Sequence, residues 1–264
     1  MRASSQDLGH GASGAAGTRS GYTGCAPAPG SHARDYTWAL AEGPLTGRMR
    51  VQSIAVGTPR KVFWEGREVL TSIFKVPIPG PVMARREGID GDRQSDLRVH
   101  GGEFKAVYAY ASEHYDWWQA ALGRRLEPAQ FGETLTLGGL DDERVCIGDC
   151  FGIGKAELEA TGPRLPCFKL GLRFGDPGVV KAFAESRRWG VYFRVTKEGH
   201  IAVGDPVRRV RSHPEQIPVH ELARVRVFDR DDLRAMRRLA ALEVLDPSWR
   251  GYLAQRLECA EKGG

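Results

Sequence analysis

Cys167 lies in the run Gly162-Pro163-Arg164-Leu165-Pro166-Cys167-Phe168-Lys169, a thiol flanked by two prolines and two cations. Each proline fixes its own φ and restricts the residue before it, so the run reads as a stiff, non-helical turn. Positive charge from Arg164 and Lys169 favours a thiolate, the form that attacks electrophiles and binds soft metals. Two further segments add to this chemistry. Lys75 ends Thr71-Ser72-Ile73-Phe74-Lys75, where a strand meets a rigid turn at Pro77 and Pro79. Asp90-Gly91-Asp92 leads through Asp96 and Arg98 to His100-Gly101-Gly102, with Lys105 close behind, and Glu133 stands between Gly132 and Thr134. Glycine pairs let a backbone approach a ligand closely, since neither residue has a Cβ. Cations with backbone donors suit a phosphate. Taken singly each residue has a plainer role: His100 as a turn residue, Lys75 as a solvated side chain, Cys167 as a small apolar filler. The chain has no G-x-G-x-x-G, P-loop or zincin helix.

The elements that must position these residues change along the chain. The first 48 residues are rich in Gly, Ala and Ser without periodicity, and read as an extension too poor in apolar surface to offset the entropy of ordering. Met49 opens an abrupt alternating strand and reads as an alternative biological start. From 49 to 211 the pattern predicts short strands at Arg50 to Val56, Lys61 to Trp64, Ala106 to Ala111, Thr134 to Leu137, Phe151 to Ala160, Gly190 to Thr196 and Ile201 to Val210. Two helices interrupt them. One has Ser112 as N-cap and carries Tyr115, Trp118 and Leu122; the other opens at Asp176-Pro177 and carries Val180, Phe183 and Ala184. Many short strands with few helices predict a mainly β fold, a barrel or folded sheet. From 212 to 264 three short helices are expected, opening at Ile217 to Leu222, spanning Asp231 to Leu242, and starting at Asp246-Pro247 with Trp249, Leu253 and Leu257 on one stripe. They form a small bundle.

Composition bounds the rest. With 264 residues and 41% hydrophobic content the chain can bury one sizeable core plus an appendage. A net charge of +5 is mild and dispersed, and suits a small anion better than nucleic acid. Arg237-Arg238 has no aromatic stacking platform beside it and reads as a solvated helix face. Five cysteines in no regular spacing argue against a secreted disulfide framework, and Cys146 and Cys150 read as packing residues. No run approaches a membrane span and no secretory signal opens the chain, so a cytoplasmic location is expected.

Together, Thr71 through Lys75, the Gly91-Asp92 to Lys105 block, Gly132-Glu133 and Pro163-Arg164 with Pro166-Cys167 and Lys169 resemble the MOSC domain, the molybdenum cofactor sulfurase C-terminal domain. The three-helix tail resembles the extra domain of the 6-N-hydroxylaminopurine resistance subgroup. The resemblance implies a MOSC β-barrel-like fold that binds molybdenum cofactor (molybdopterin), with Cys167 as metal ligand and catalytic centre. It further implies reduction of N-hydroxylated bases and related compounds, fed by an electron-donating reductase partner. Lys75, Arg98, Arg164 and Lys169 would hold the cofactor phosphate or offset the oxyanionic metal centre, with Gly101, Gly102, Glu133 and Thr134 in the same cofactor site. His100 would deliver a proton as the N–O bond breaks, with Lys105 or a metal-bound water as alternatives. The subgroup has Gly-Glu-Asn where this chain has Gly132-Glu133-Thr134, so the amide donors are lost while a hydroxyl remains. A non-catalytic carrier of the cofactor or of sulfur is the other reading of the same thiol. Pyridoxal phosphate is a family-level descriptor from sulfurase fusions; Lys75 could form a Schiff base, but this length has no room for a pyridoxal-enzyme domain. Because the first 48 residues lack core formers, a chain starting at Met49 is expected to match the full chain in melting temperature and activity. A loss of several degrees on truncation, by calorimetry, contradicts that.

Overall fold

The computed structural model describes residues 49–97 and 101–262. Thirteen strands run in order: β1 (Arg50–Val56), β2 (Arg60–Trp64), β3 (Arg67–Thr71), β4 (Val76–Pro77), β5 (Val82–Arg85), β6 (Gly88–Ile89), β7 (Val107–Ala111), β8 (Leu135–Gly138), β9 (Cys150–Ile153), β10 (Ala156–Pro163), β11 (Val191–Lys197), β12 (Gly199–Ile201) and β13 (Val207–Arg211). Six helices accompany them: α1 (Ser112–Leu122), α2 (Phe168–Phe174), α3 (Gly178–Ser186), α4 (Val219–Val227), α5 (Leu233–Ala240) and α6 (Pro247–Lys262).

The main sheet has the order β13-β9-β10-β11-β7-β8-β1-β4. It curls until its ends meet. Val51 N donates to Asp205 O at 3.0 Å, Gly204 N to Val51 O at 2.8 Å and Val207 N to Met49 O at 2.9 Å, so the segment entering β13 pairs with β1. Closure removes the free edges that an open sheet would present. All pairings are antiparallel except β7 with β8, which run parallel because α1 crosses between them. A separate hairpin, β2–β3, turns through Glu65 (φ 48°) and Gly66 (φ 78°), two left-handed residues in the two-residue loop that matches strand twist.

Two apolar clusters fill the molecule. One occupies the barrel interior and continues through Val219, Leu222 and Val225 of α4, Met236 and Leu239 of α5 and Leu253 of α6. The other gathers Tyr108, Tyr110, Trp118, Phe131, Phe174, Phe183 and Trp189 beneath α1, α2 and α3. The C-terminal helices therefore share the barrel's core, and α5 turns Arg234, Arg237 and Arg238 to solvent. Among the described residues no helix is long and apolar enough to cross a membrane.

Several sequence expectations need correction. The run Phe151 to Ala160 is a hairpin, not one strand, because Gly154 takes a left-handed φ of 58° between β9 and β10. The run Ile201 to Val210 divides where Asp205-Pro206 interrupts it. Ser112 lies inside α1, preceded by Ala111 with no side-chain cap. Helix α2 was not anticipated, since Leu170, Leu172 and Phe174 alternate as in a strand; all three are buried, and burial outweighs the poor propensity of Gly171.

One buried carboxylate joins α4 to the barrel. Asp142 accepts from Gly190 N at 2.9 Å and faces His114 Nε2 at 3.0 Å and His220 Nε2 at 3.3 Å. Burial raises its pKa, but the His114 hydrogen bond and the adjacent His220 imidazole outweigh that and hold it below the ordinary 3.8. A depressed carboxylate contributes stability above its unfolded pKa and loses it as pH falls through the folded value. Asp142→Asn should therefore cost about 3 kcal/mol in urea unfolding at pH 7, and its stability should fall less steeply than wild type below pH 4. Equal acid slopes would remove Asp142 from this role.

Candidate active site

A cleft opens where β3, β7, β10 and β11 meet the loops around them. Its wall carries Thr71 at the end of β3, Ser72, Ile73 and Lys75 just after it, Gln94 and Ser95 from a later loop, and Lys105 and Tyr108 around the start of β7. Gly132 and Thr134, then Arg164, Cys167 and Lys169, then Tyr192 of β11 complete it. Four cations line the cleft and no carboxylate does, among the described residues.

Cys167 stands in extended conformation (φ −138°, ψ 166°) immediately before α2. Pro163 ends β10 and Pro166 precedes the thiol, so the chain leaves the barrel, passes the cleft and enters a helix within a few residues. Its free thiol is half-buried. Lys169, on the first turn of α2, donates to Ser95 Oγ at 3.3 Å.

Lys75 is held tightly. Its ammonium donates to Asp92 Oδ2 and to Thr134 Oγ1 at 2.7 Å, and Asp92 Oδ1 accepts from Gly57 N at 2.8 Å. Two of three ammonium protons are thus committed, and the third remains for a ligand. The hydroxyl of Thr134 does acceptor work here that needs no amide.

Arg164 is the unusual member. It is 6% exposed, and its Nη1 has no hydrogen-bond partner. Its guanidinium lies 5.3 Å from the Tyr108 ring centroid and 5.4 Å from that of Phe183. Burial pulls its pKa down, while Tyr108, Tyr192 and Cys167 act the other way and leave it raised, so it is a cation throughout. A buried charge without a counter-ion costs several kcal/mol, which ring contacts offset only in part. Tyr192 beside it has a phenol raised by burial and opposed by Arg164.

The other site residues expected from sequence fall elsewhere. Glu133 does not line the cleft. Gly132, in a left-handed turn (φ 74°), and Thr134 line the cleft, and Glu133 between them does not. Its carboxylate accepts from Tyr115 Oη, Phe131 N at 3.2 Å and Thr136 Oγ1 at 3.2 Å, and burial raises its pKa. Gly132 needs its glycine: φ is 74°, and a Cβ would lie 2.9 Å from Ile73 Cγ1. Gly101 and Gly102 do not line the cleft either. A Cβ on Gly101 would lie 2.6 Å from Leu97 Cδ2, and Gly102 (φ 89°) starts the 3-10 turn at Glu103–Lys105, so both shape the loop. Arg98 and His100 lie outside the described residues. Sequence reasoning missed Tyr108 and Tyr192; the alternation Val107-Tyr108-Ala109-Tyr110 was the available signal, a phenol recurring on one strand face.

A single thiol, four cations and two phenols around a cleft at a barrel's end define a pocket for an anionic ligand with a soft-donor position. Comparison with known proteins is consistent with that class. The family described as "MOSC domain" matches residues 96–208, and "YiiM-like, 3-alpha helix domain" matches 217–259. The protein YflK of Bacillus subtilis is 38% identical over 209 residues, covering 79% of this chain and 95% of that one. A Gibberella moniliformis protein named "Reductase" is 37% identical over 146 residues, 54% of this chain but 26% of its own length. The crystal structure of YiiM from Geobacillus stearothermophilus superposes with a TM-score of 0.68 at 34% identity, covering 79% of this chain and 99% of that one. The chain belongs to the MOSC family, in the group that carries a YiiM-like three-helix C-terminal domain.

Because Glu133 is buried and hydrogen-bonded away from the cleft, Glu133→Gln should lower the melting temperature, read by thermal melts of the purified variant; an unchanged melting temperature would contradict its structural role.

Proposed function

We propose that this protein binds molybdenum cofactor in the cleft and reduces N-hydroxylated bases or related N-hydroxylated compounds, with electrons from a reductase partner. The observation that carries the reading is the buried Arg164 guanidinium, its Nη1 without a hydrogen-bond partner, sharing with the Cys167 thiol a cleft lined by cations. Such a donor set fits a ligand that combines a soft metal with anionic oxygen and phosphate groups. The family match and the relative named "Reductase" support it. In that relative the matched part is about a quarter of the chain, which agrees with a unit that works beside other domains.

The residues divide the work. Cys167 supplies the sulfur ligand. Lys75, oriented by Asp92 and Thr134, offers one free donor, and Lys169 with Lys105 adds positive charge toward the phosphate. Arg164 offsets negative charge next to the thiol. The bound cofactor supplies two-electron exchange. Converting an N-hydroxylamine to an amine and water takes two electrons and two protons, so proton donors must reach the cleft. Lys105 lines it; His100 remains the other candidate.

A non-catalytic carrier would use the same thiol, and turnover separates the two. Protein made in a host that synthesises the cofactor should contain near-stoichiometric molybdenum and turn over an N-hydroxylated base with a supplied reductant. Cys167→Ser should keep its fold but lose activity and much of the metal, because a serine hydroxyl stays protonated and is a harder donor. Cys146 is pushed up to about 11 by burial, and Cys150 is also raised by burial, so neither favours a thiolate. Cys146→Ser and Cys150→Ser should therefore retain metal. Full activity in Cys167→Ser, or metal loss in Cys146→Ser alone, would defeat the assignment.

A further inference from the structure

We infer that a second groove, bordering the cleft, seats the planar ring of an N-hydroxylated base, with Phe168 as its stacking surface. This assignment rests on the reductase reading and adds where the substrate ring is selected. Phe168 directly follows Cys167, opens α2 and is 43% exposed. Leu70 of β3, at 48%, and Leu97, at 68%, line the same groove. Eight large apolar residues are strongly exposed among the described residues, and these three converge beside the thiol, so they form a patch and are not scattered singly. The Arg67 guanidinium stands 5.1 Å from the Phe168 ring centroid and helps to hold that ring in place.

Groove and cleft share two residues. Lys169 and Ser95 line both, and the Lys169 ammonium donates to Ser95 Oγ at 3.3 Å. A ring lying on Phe168 therefore borders the cleft, the position that an exocyclic N–OH group needs. The two walls differ in charge. The cleft carries four cations and no carboxylate among the described residues, whereas the groove sets Glu68 and Asp96 against Arg67 and Lys169. A balanced, partly apolar wall suits an uncharged ring with N–H donors better than a phosphate, because carboxylates accept from such donors and every base offers a π-face to an aromatic side chain.

The test uses the full chain purified from a host that makes the cofactor. Adenine, the amine left when 6-N-hydroxylaminopurine is reduced, should bind saturably in equilibrium dialysis. Phe168→Ala should weaken that binding about tenfold, and Phe168→Tyr should restore it. Leu97→Ala, on a separate segment, should weaken it several-fold and keeps the test open where the α2 variant does not fold. In turnover, Phe168→Ala should raise the KM for 6-N-hydroxylaminopurine about tenfold and that for acetohydroxamic acid, which has no ring, far less. No adenine binding, equal affinity in wild type and Phe168→Ala, or an equal rise in both KM values overturns the inference. So does a rise in the KM for the reductase alone, which would make the patch a protein-docking surface. If adenine binds through Phe168 while no N-hydroxylated compound is turned over, the groove stands and the reductase reading fails.

Discussion

The pairing of β10 with β11 governs where the chemistry falls. Gly162 pairs with Tyr192 and Pro163 with Val191, so the strand delivering Arg164 and Cys167 ends beside the strand carrying Tyr192. A register shift between Ala160 and Gly162 bends β10 at that point. The back of the same turn is supported by the C-terminal helices. A Cβ on Gly162 would lie 3.2 Å from Trp249 Nε1 and 3.3 Å from Leu222 Cδ1, which places α6 and α4 directly behind the cleft's wall. Helices α4 and α6 thus brace the strand that positions the thiol.

Charge in the molecule is handled in two opposite ways. Outside the cleft, buried ions are paired within the protein. Asp149 meets Arg209 at 3.0 Å, and Glu159 meets Arg194 at 2.7 Å. Inside it, Arg164 keeps no carboxylate, and its nearest neighbours are aromatic rings and a thiol. A buried guanidinium with one nitrogen left unpartnered and no carboxylate on the cleft wall is the kind of group that a ligand would satisfy.

Much of this was readable from residue types. The thiol between prolines and cations, Lys75 before a rigid turn, and Gly132 and Thr134 on either side of Glu133 all line one cleft. Alternation identified β1 and much of β11, and helical stripes identified α1, α3 and α6, because those elements each bury one face on a regular period. Helix α2 and the split of Phe151 to Ala160 were hidden. Both depend on which side chains the rest of the barrel covers.

By itself the sequence determined the local chemistry: which side chains carry charge, where the chain must turn, and which strands and helices have an apolar face. Only the tertiary structure decided which of those groups meet. Glu133 and Thr134 are neighbours in sequence, yet the Glu133 carboxylate bonds to Tyr115 away from the cleft while the Thr134 hydroxyl meets Lys75 in it. Arg164 reads as an ordinary cation until packing buries it and leaves its Nη1 without a hydrogen-bond partner. Tyr192 enters the site through pairing across 30 residues, a distance that local propensity does not encode.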